Sequence, residues 1–140
     1  MPEIFTDAWA AAWCGKLETS DAYRKAASSW KKPMVFILEA DPSQGIPVDR
    51  ALYLDLEAGR CKGVRLATPA DEADVPYVVS GPIDAWRGLL EKVVDPMTTL
   101  LSGKLRLKKG SLFSLMPYAN AAFAMLEAAM TVDSTYPSSS

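Results

Sequence analysis

The sequence predicts an α+β fold, and three observations carry that prediction. Apolar and polar residues alternate from Ala51 to Glu57 and again from Lys104 to Lys108, apolar residues recur at helical spacing from Ile4 to Trp30, and Met116 to Met130 forms a helix with almost no polar side. Strands with one polar face suit a largely antiparallel sheet open to water on one side, not a doubly wound parallel sheet buried on both. Helices then segregate to one face of that sheet.

The elements follow in order. Phe5, Ala8, Trp9, Ala12, Trp13 and Leu17 share one helical stripe, and Tyr23, Ala27 and Trp30 a second; Gly15 and the Glu-Thr-Ser-Asp run break them into two helices, with Thr19 or Ser20 capping the second. Pro33 ends the helix and opens a strand, Met34 to Ala40, bounded by the loop from Asp41 to Pro47. Leu52, Leu54 and Leu56 line one face of the next strand. Gly59 supplies a positive φ for a reversal into a strand from Cys61 to Ala67. Thr68 to Asp74 reads as an acidic loop, and Tyr77 to Ser80 as a further strand.

Gly81-Pro82 opens a helix capped by Ser80 or Gly81, with Pro82 in its first turn and Asp84 at the positive end of its dipole. Trp86, Leu89, Leu90, Val93 and Val94 form its buried face. Asp95-Pro96 repeats the device for a short helix, Met97 to Leu101, that Gly103 ends. In the last strand Leu105 and Leu107 point inward, and Lys104, Arg106 and Lys108 outward. Ser111 to Met116 connects to the apolar helix, and the polar segment 131–140 is expected to be a disordered tail after a single domain, 1–130.

In the terminal helix Tyr118, Phe123, Met125, Leu126 and Met130 cover roughly half the circumference, wider than the stripe of about 100° that serves an ordinary core. Only Asn120 and Glu127 mark a wet edge, and Ala121, Ala124 and Ala128 leave room for close approach. This pattern predicts a helix that walls an apolar cavity.

Composition narrows the function classes. Among 140 residues 49% are hydrophobic and 23% charged, and the net charge of −2 gives no field that would gather phosphates, so no nucleic-acid partner is expected. No cofactor is expected. There is no histidine, and Cys14 and Cys61 have no metal-ligand spacing, so they read as two buried free thiols and no metal site is expected. No Ser-His or Cys-His pair and no phosphate cradle can be drawn, and the chain is read as non-enzymatic. The longest purely apolar run, Met34 to Leu38, is far short of a membrane span, and Met-Pro-Glu leads straight into a helix; no membrane insertion and a cytoplasmic location are expected.

The order of a helix opened by Gly81-Pro82, Asp95-Pro96 with a short helix, the strand Ser102-Gly103-Lys104-Leu105-Arg106-Leu107 and a terminal apolar helix resembles the sterol carrier protein 2 domain family. The looser likeness runs from about Asp7 to Met130. The resemblance implies five strands with helices on one face, enclosing a hydrophobic tunnel for fatty acids, acyl-CoA esters, sterols or other lipids. It also implies a carrier, or a domain that serves a lipid-metabolising enzyme. The ending Tyr-Pro-Ser-Ser-Ser lacks the peroxisomal terminus of some members, and Trp9, Trp13 and Trp30 look closer to a prokaryotic-type variant than to the best-known animal form.

A ligand would be lined by Leu112, Phe113, Leu115, Met116, Tyr118, Phe123, Met125, Leu126 and Met130, together with Trp86, Met97 and Leu101. Methionines suit loose specificity because an unbranched thioether repacks readily. Arg87, Lys92, Lys108 or Lys109 could hold a carboxylate head group. The alternative is an interaction module in which the apolar helix packs on a second copy, giving a homodimer, or on another protein.

Overall fold

The computed structural model describes residues 1–91 and 94–138. Strand β1, Met34–Leu38, lies at the middle of a five-stranded sheet of order β3-β2-β1-β4-β5, and all five of its residues are buried. The other strands are β2 (Arg50–Glu57), β3 (Arg60–Leu66), β4 (Tyr77–Gly81) and β5 (Arg106–Lys109). β1 pairs antiparallel with β2, placing Phe36 opposite Leu52, and parallel with β4, placing Phe36 beside Val79. The β2–β3 and β4–β5 pairs are antiparallel. The sheet is therefore mostly antiparallel, as expected, with one parallel pair at its centre. That pair arises because β4 returns beside β1 only after the β2–β3 hairpin and a helix have been crossed.

The period of two divides β1 between two layers. Met34, Phe36 and Leu38 join the main core, while Val35 and Ile37 join a smaller cluster with Val75 and Val78 on the other face, flanked by Ala51, Tyr53 and Ala67. The second face is thus partly covered, not simply wetted. Its cover follows a helix that the sequence reading takes for a loop: α3, Pro69–Asp74, begins at a capping box in which Thr68 and Asp71 satisfy each other's backbone N–H.

The main core is closed by α1 (Asp7–Glu18), α2 (Asp21–Ala26), α4 (Ile83–Glu91), α5 (Pro96–Leu101), α6 (Leu112–Leu115) and α7 (Ala119–Met130), with a 3-10 turn at Met116–Tyr118 leading into α7. Thr6, Ser20 and Asp95 cap α1, α2 and α5 through side-chain oxygens that accept from backbone N–H groups. Pro82 precedes α4, and its carbonyl accepts from Ala85 and Trp86. α7 packs against α1, α2, α4 and α5, which explains its width of apolar surface. Of the expected α4 face, Trp86, Leu89 and Leu90 are buried, Val94 is 38% exposed, and Val93 lies outside the described residues.

The expectation for the cysteines is corrected. Cys14 and Cys61 are not free thiols but a disulfide tying α1 to β3, with Cα atoms 5.5 Å apart across 47 positions of sequence. Chain spacing alone could not show that α1 packs along β3. Residues 131–138 contact the N-terminal segment. Ile4 donates to the Thr135 carbonyl at 3.0 Å and Thr135 to that of Pro2 at 2.9 Å, Trp9 Nε1 donates to Ser134 Oγ at 2.8 Å, and Tyr136 lies under the Arg87 guanidinium. The N-terminal segment thereby satisfies backbone groups of this polar stretch. Ser139 and Ser140 lie outside the described residues.

At the β2–β3 reversal both central residues, Ala58 and Gly59, have positive φ, 52° and 80°. This is the geometry whose twist matches a two-residue hairpin. A side chain at Gly59 would also strike the backbone of Arg24, 2.5–3.0 Å from the Cβ position, so glycine is required twice over.

Candidate functional site

Between the sheet and α7 lies an apolar cavity of about 80 Å³. Its roof is one stripe of the terminal helix, Tyr118, Ala121, Ala122, Met125 and Leu126, spaced i, i+3, i+4, i+7, i+8 as a single helical face requires. Its floor is the inward side of the sheet: Met34 and Phe36 of β1, Leu56 of β2 and Val79 of β4. Trp13, Tyr23, Ala27 and Trp30 close one side, and Trp86, Leu89, Pro96, Met97, Leu100, Leu105 and Leu115 the rest. No charged residue contributes among the described residues.

The tryptophans present carbon to the cavity because their N–H groups are engaged elsewhere. Trp13 donates to the Met125 carbonyl at 2.9 Å, Trp86 to that of Ile37 at 3.0 Å, and Trp30 to that of Lys32 at 2.6 Å. The first of these fixes α1 against α7 across the cavity wall. Trp13, Phe36 and Trp86 pack in tilted and edge-on contacts with centroids 5.5 and 6.2 Å apart, the orientations that ring quadrupoles favour. The Tyr118 hydroxyl is 3.0 Å from Ser29 Oγ. Burial pushes the Tyr23 hydroxyl up to about 12.

Of the residues expected to line a ligand site, Trp86, Met97, Leu115, Tyr118, Met125 and Leu126 meet at this cavity. Leu101, Phe113 and Met116 do not: they are 68%, 84% and 54% exposed, on the outer side of segments whose neighbours Leu100, Leu115 and Tyr118 face inward. Leu112 and Met130 are half-buried outside the lining. Phe123 turns to a shallow cleft shared with Ala22, Lys25 and Ala26. Its position is roughly 120° around α7 from the cavity stripe. Hydrophobicity alone could not choose among the sides of a helix that is covered on most of them.

The lining residues that the reading omits, Met34, Phe36, Leu56 and Val79, are the inward positions of strands; their period-two alternation was the available signal. Trp13, Tyr23 and Trp30, on the two N-terminal helical stripes, serve as walls of the cavity. The cations suggested for a head group are engaged away from the cavity. Arg87 pairs with Glu91 at 2.9 Å, Lys108 reaches Glu72 at 4.0 Å, and Lys109 donates to the Ala73 carbonyl; Lys92 lies outside the described residues.

No protein-family model and no curated protein matches the sequence. Solved structures do. A crystal structure of sterol carrier protein 2 superposes with a TM-score of 0.85 at 40% identity, over 93% of this chain and 99% of that one. The solution structure of a conserved hypothetical protein from Thermus thermophilus, described as possibly a sterol carrier protein, gives 0.84 at 39% identity over 96% and 93%. Sterol carrier protein 2 from Yarrowia lipolytica, in its apo form, shares the fold at 0.54 and 16% identity over 85% and 90%. With two-fifths of its residues matched across nearly the full length of a solved member, the chain belongs to the sterol carrier protein 2 family.

Proposed function

We propose that this protein binds lipids, such as fatty acyl or sterol-like molecules, in the cavity beneath α7 and carries or presents them without catalysing a reaction. The observation that supports the reading is a cavity lined by apolar side chains from both layers, in a chain 40% identical to a solved sterol carrier protein 2.

At about 80 Å³ the cavity is smaller than the engineered apolar cavity of about 150 Å³ that holds benzene. A long chain would therefore enter by displacing side chains, and Met34, Met97 and Met125 on three walls are the flexible ones. Enclosing sixteen carbons at about 0.8 kcal/mol per methylene yields roughly 12 kcal/mol gross. Losing about half of that to ordering and repacking leaves an affinity on the order of tens of micromolar.

Gentle purification followed by solvent extraction and mass spectrometry tests the proposal. A stoichiometric lipid supports it. An empty protein that also fails to displace a fluorescent fatty acid overturns it, and an empty dimer in native mass spectrometry favours the interaction module, for which exposed Phe113 and Met116 would be the contact. Among the described residues no helix is long and apolar enough to cross a membrane.

A further inference from the structure

Five lining side chains carry an N–H or O–H group: Trp13, Trp30, Trp86, Tyr118 and Tyr23. The first four have protein partners. Tyr23 is hydrogen-bonded through its backbone, N–H to Ser20 Oγ at 3.1 Å, but its hydroxyl meets no protein group among the described residues, although the residue is only 1% exposed. No fully sealed side-chain polar atom among the described residues lacks a partner, so the hydroxyl must touch open space. Tyr23 is itself one of the residues that line the cavity.

Water is a poor candidate to fill that role. A buried water typically makes about three hydrogen bonds, and this lining offers one uncommitted hydroxyl. An oxygen borne by an otherwise apolar ligand needs no second partner. With its pKa raised by burial, the hydroxyl keeps its proton near neutrality and can donate. An ionised carboxylate at the same depth would find no cation among the described residues of the lining, and an unpaired buried charge is costly.

We infer that Tyr23 is a specificity residue, donating a hydrogen bond to a neutral oxygen within the ligand, an ester or thioester carbonyl or an alcohol, and disfavouring chains whose buried end is an ionised carboxylate. The inference rests on the lipid-binding reading above and assigns the polar chemistry of the same cavity.

The test compares hexadecane, methyl palmitate and palmitate at pH 8 in a fluorescence displacement assay on the full chain, wild type and Tyr23→Phe. The wild type is expected to prefer the ester to the carboxylate. Tyr23→Phe keeps the ring, and is expected to lose roughly 3- to 10-fold affinity for the ester with hexadecane unchanged or tighter. On wild-type protein with ¹³Cζ-labelled tyrosine, the Tyr23 resonance should move with methyl palmitate and not with hexadecane, a readout that needs no variant to fold. An equal change for ester and hydrocarbon, or none for the ester, overturns the Tyr23 assignment and leaves lipid binding standing. A wild type that binds none of the three removes both.

Discussion

Filling the cavity separates an open site from a solid core. Ala121 lies in the middle of the α7 stripe and is 6% exposed, so Ala121→Leu directs three further carbons into the space. Empty apolar volume costs about 24 cal/mol per Å³. Over a cavity of about 80 Å³, complete filling would return about 2 kcal/mol. For a chain of this size that is a rise of roughly 4–8 °C in Tm. In a core already packed to crystal density the same substitution would overpack and cost about 1–3 kcal/mol. The sign of the change therefore reports whether the space exists. Thermal melts followed by circular dichroism give that sign, and displacement of a fluorescent fatty acid gives occupancy, with Ala122→Leu on the adjacent stripe position as a second trial. The expected pair of results is a higher Tm with at least tenfold weaker binding. A lowered Tm for both variants, or wild-type affinity alongside a raised Tm, refutes the reasoning, because the ligand would then bind elsewhere.

Three more perturbations probe the frame around the site. Replacing Cys14 and Cys61 by Ser reopens a loop of 47 positions, and unfolding should become easier by roughly 2–4 kcal/mol; equal urea midpoints with and without reductant would show that the thiols are not bonded in solution. Such bonds are rare in the reducing cytosol of mesophiles, so thiol titration of protein taken directly from cells also bears on where the protein works. Ala58→Asn at the positive-φ hairpin position should raise stability by about 0.5–1 kcal/mol, read as a higher urea midpoint, since Asn tolerates that conformation and Asn-Gly is the favoured pair. The Arg65 hydrogen bond, followed by the Thr68 N–H, holds the Asp71 carboxyl well below the usual carboxylate range. A lowered folded-state pKa stabilises fully above the unfolded value near 4 and is lost as pH falls below it. Asp71→Asn should accordingly flatten the urea midpoint's fall between about pH 4 and pH 2, and an unaltered slope would locate acid sensitivity elsewhere, with Glu39 as the next carboxylate. Burial raises Glu39, but hydrogen bonds from Ser80 and Arg106 hold it below its ordinary value.

The pieces that were legible are those whose signal is local. The alternation of Leu52, Leu54 and Leu56 identifies β2 because a strand shows successive side chains to opposite faces. Asp95-Pro96 marks the start of α5 because an acidic cap and a proline solve the same unsatisfied N–H problem. α3 is hard to read from sequence although Thr68-Pro69-Ala70-Asp71 contains a cap, a proline and a box partner. Six residues with no apolar periodicity leave capping as the sole signal.

Which apolar residues face one another is different in kind. Leu100 and Leu101 are chemically identical neighbours, yet one lines the cavity and the other is 68% exposed; only the placement of α5 against α7 distinguishes them. The sequence by itself determined the α+β class, most strand positions, the caps at Ser20 and Asp95 and the resemblance to a lipid-carrier family, because each depends on contacts within a few residues or on an ordered series of such signals. The tertiary structure alone decided the Cys14–Cys61 bond, the docking of the tail onto the N-terminus and the place of Tyr23 in the cavity lining. Those features join residues tens of positions apart or more, and their energetics depend on distances that arise only when helices and sheet are packed together.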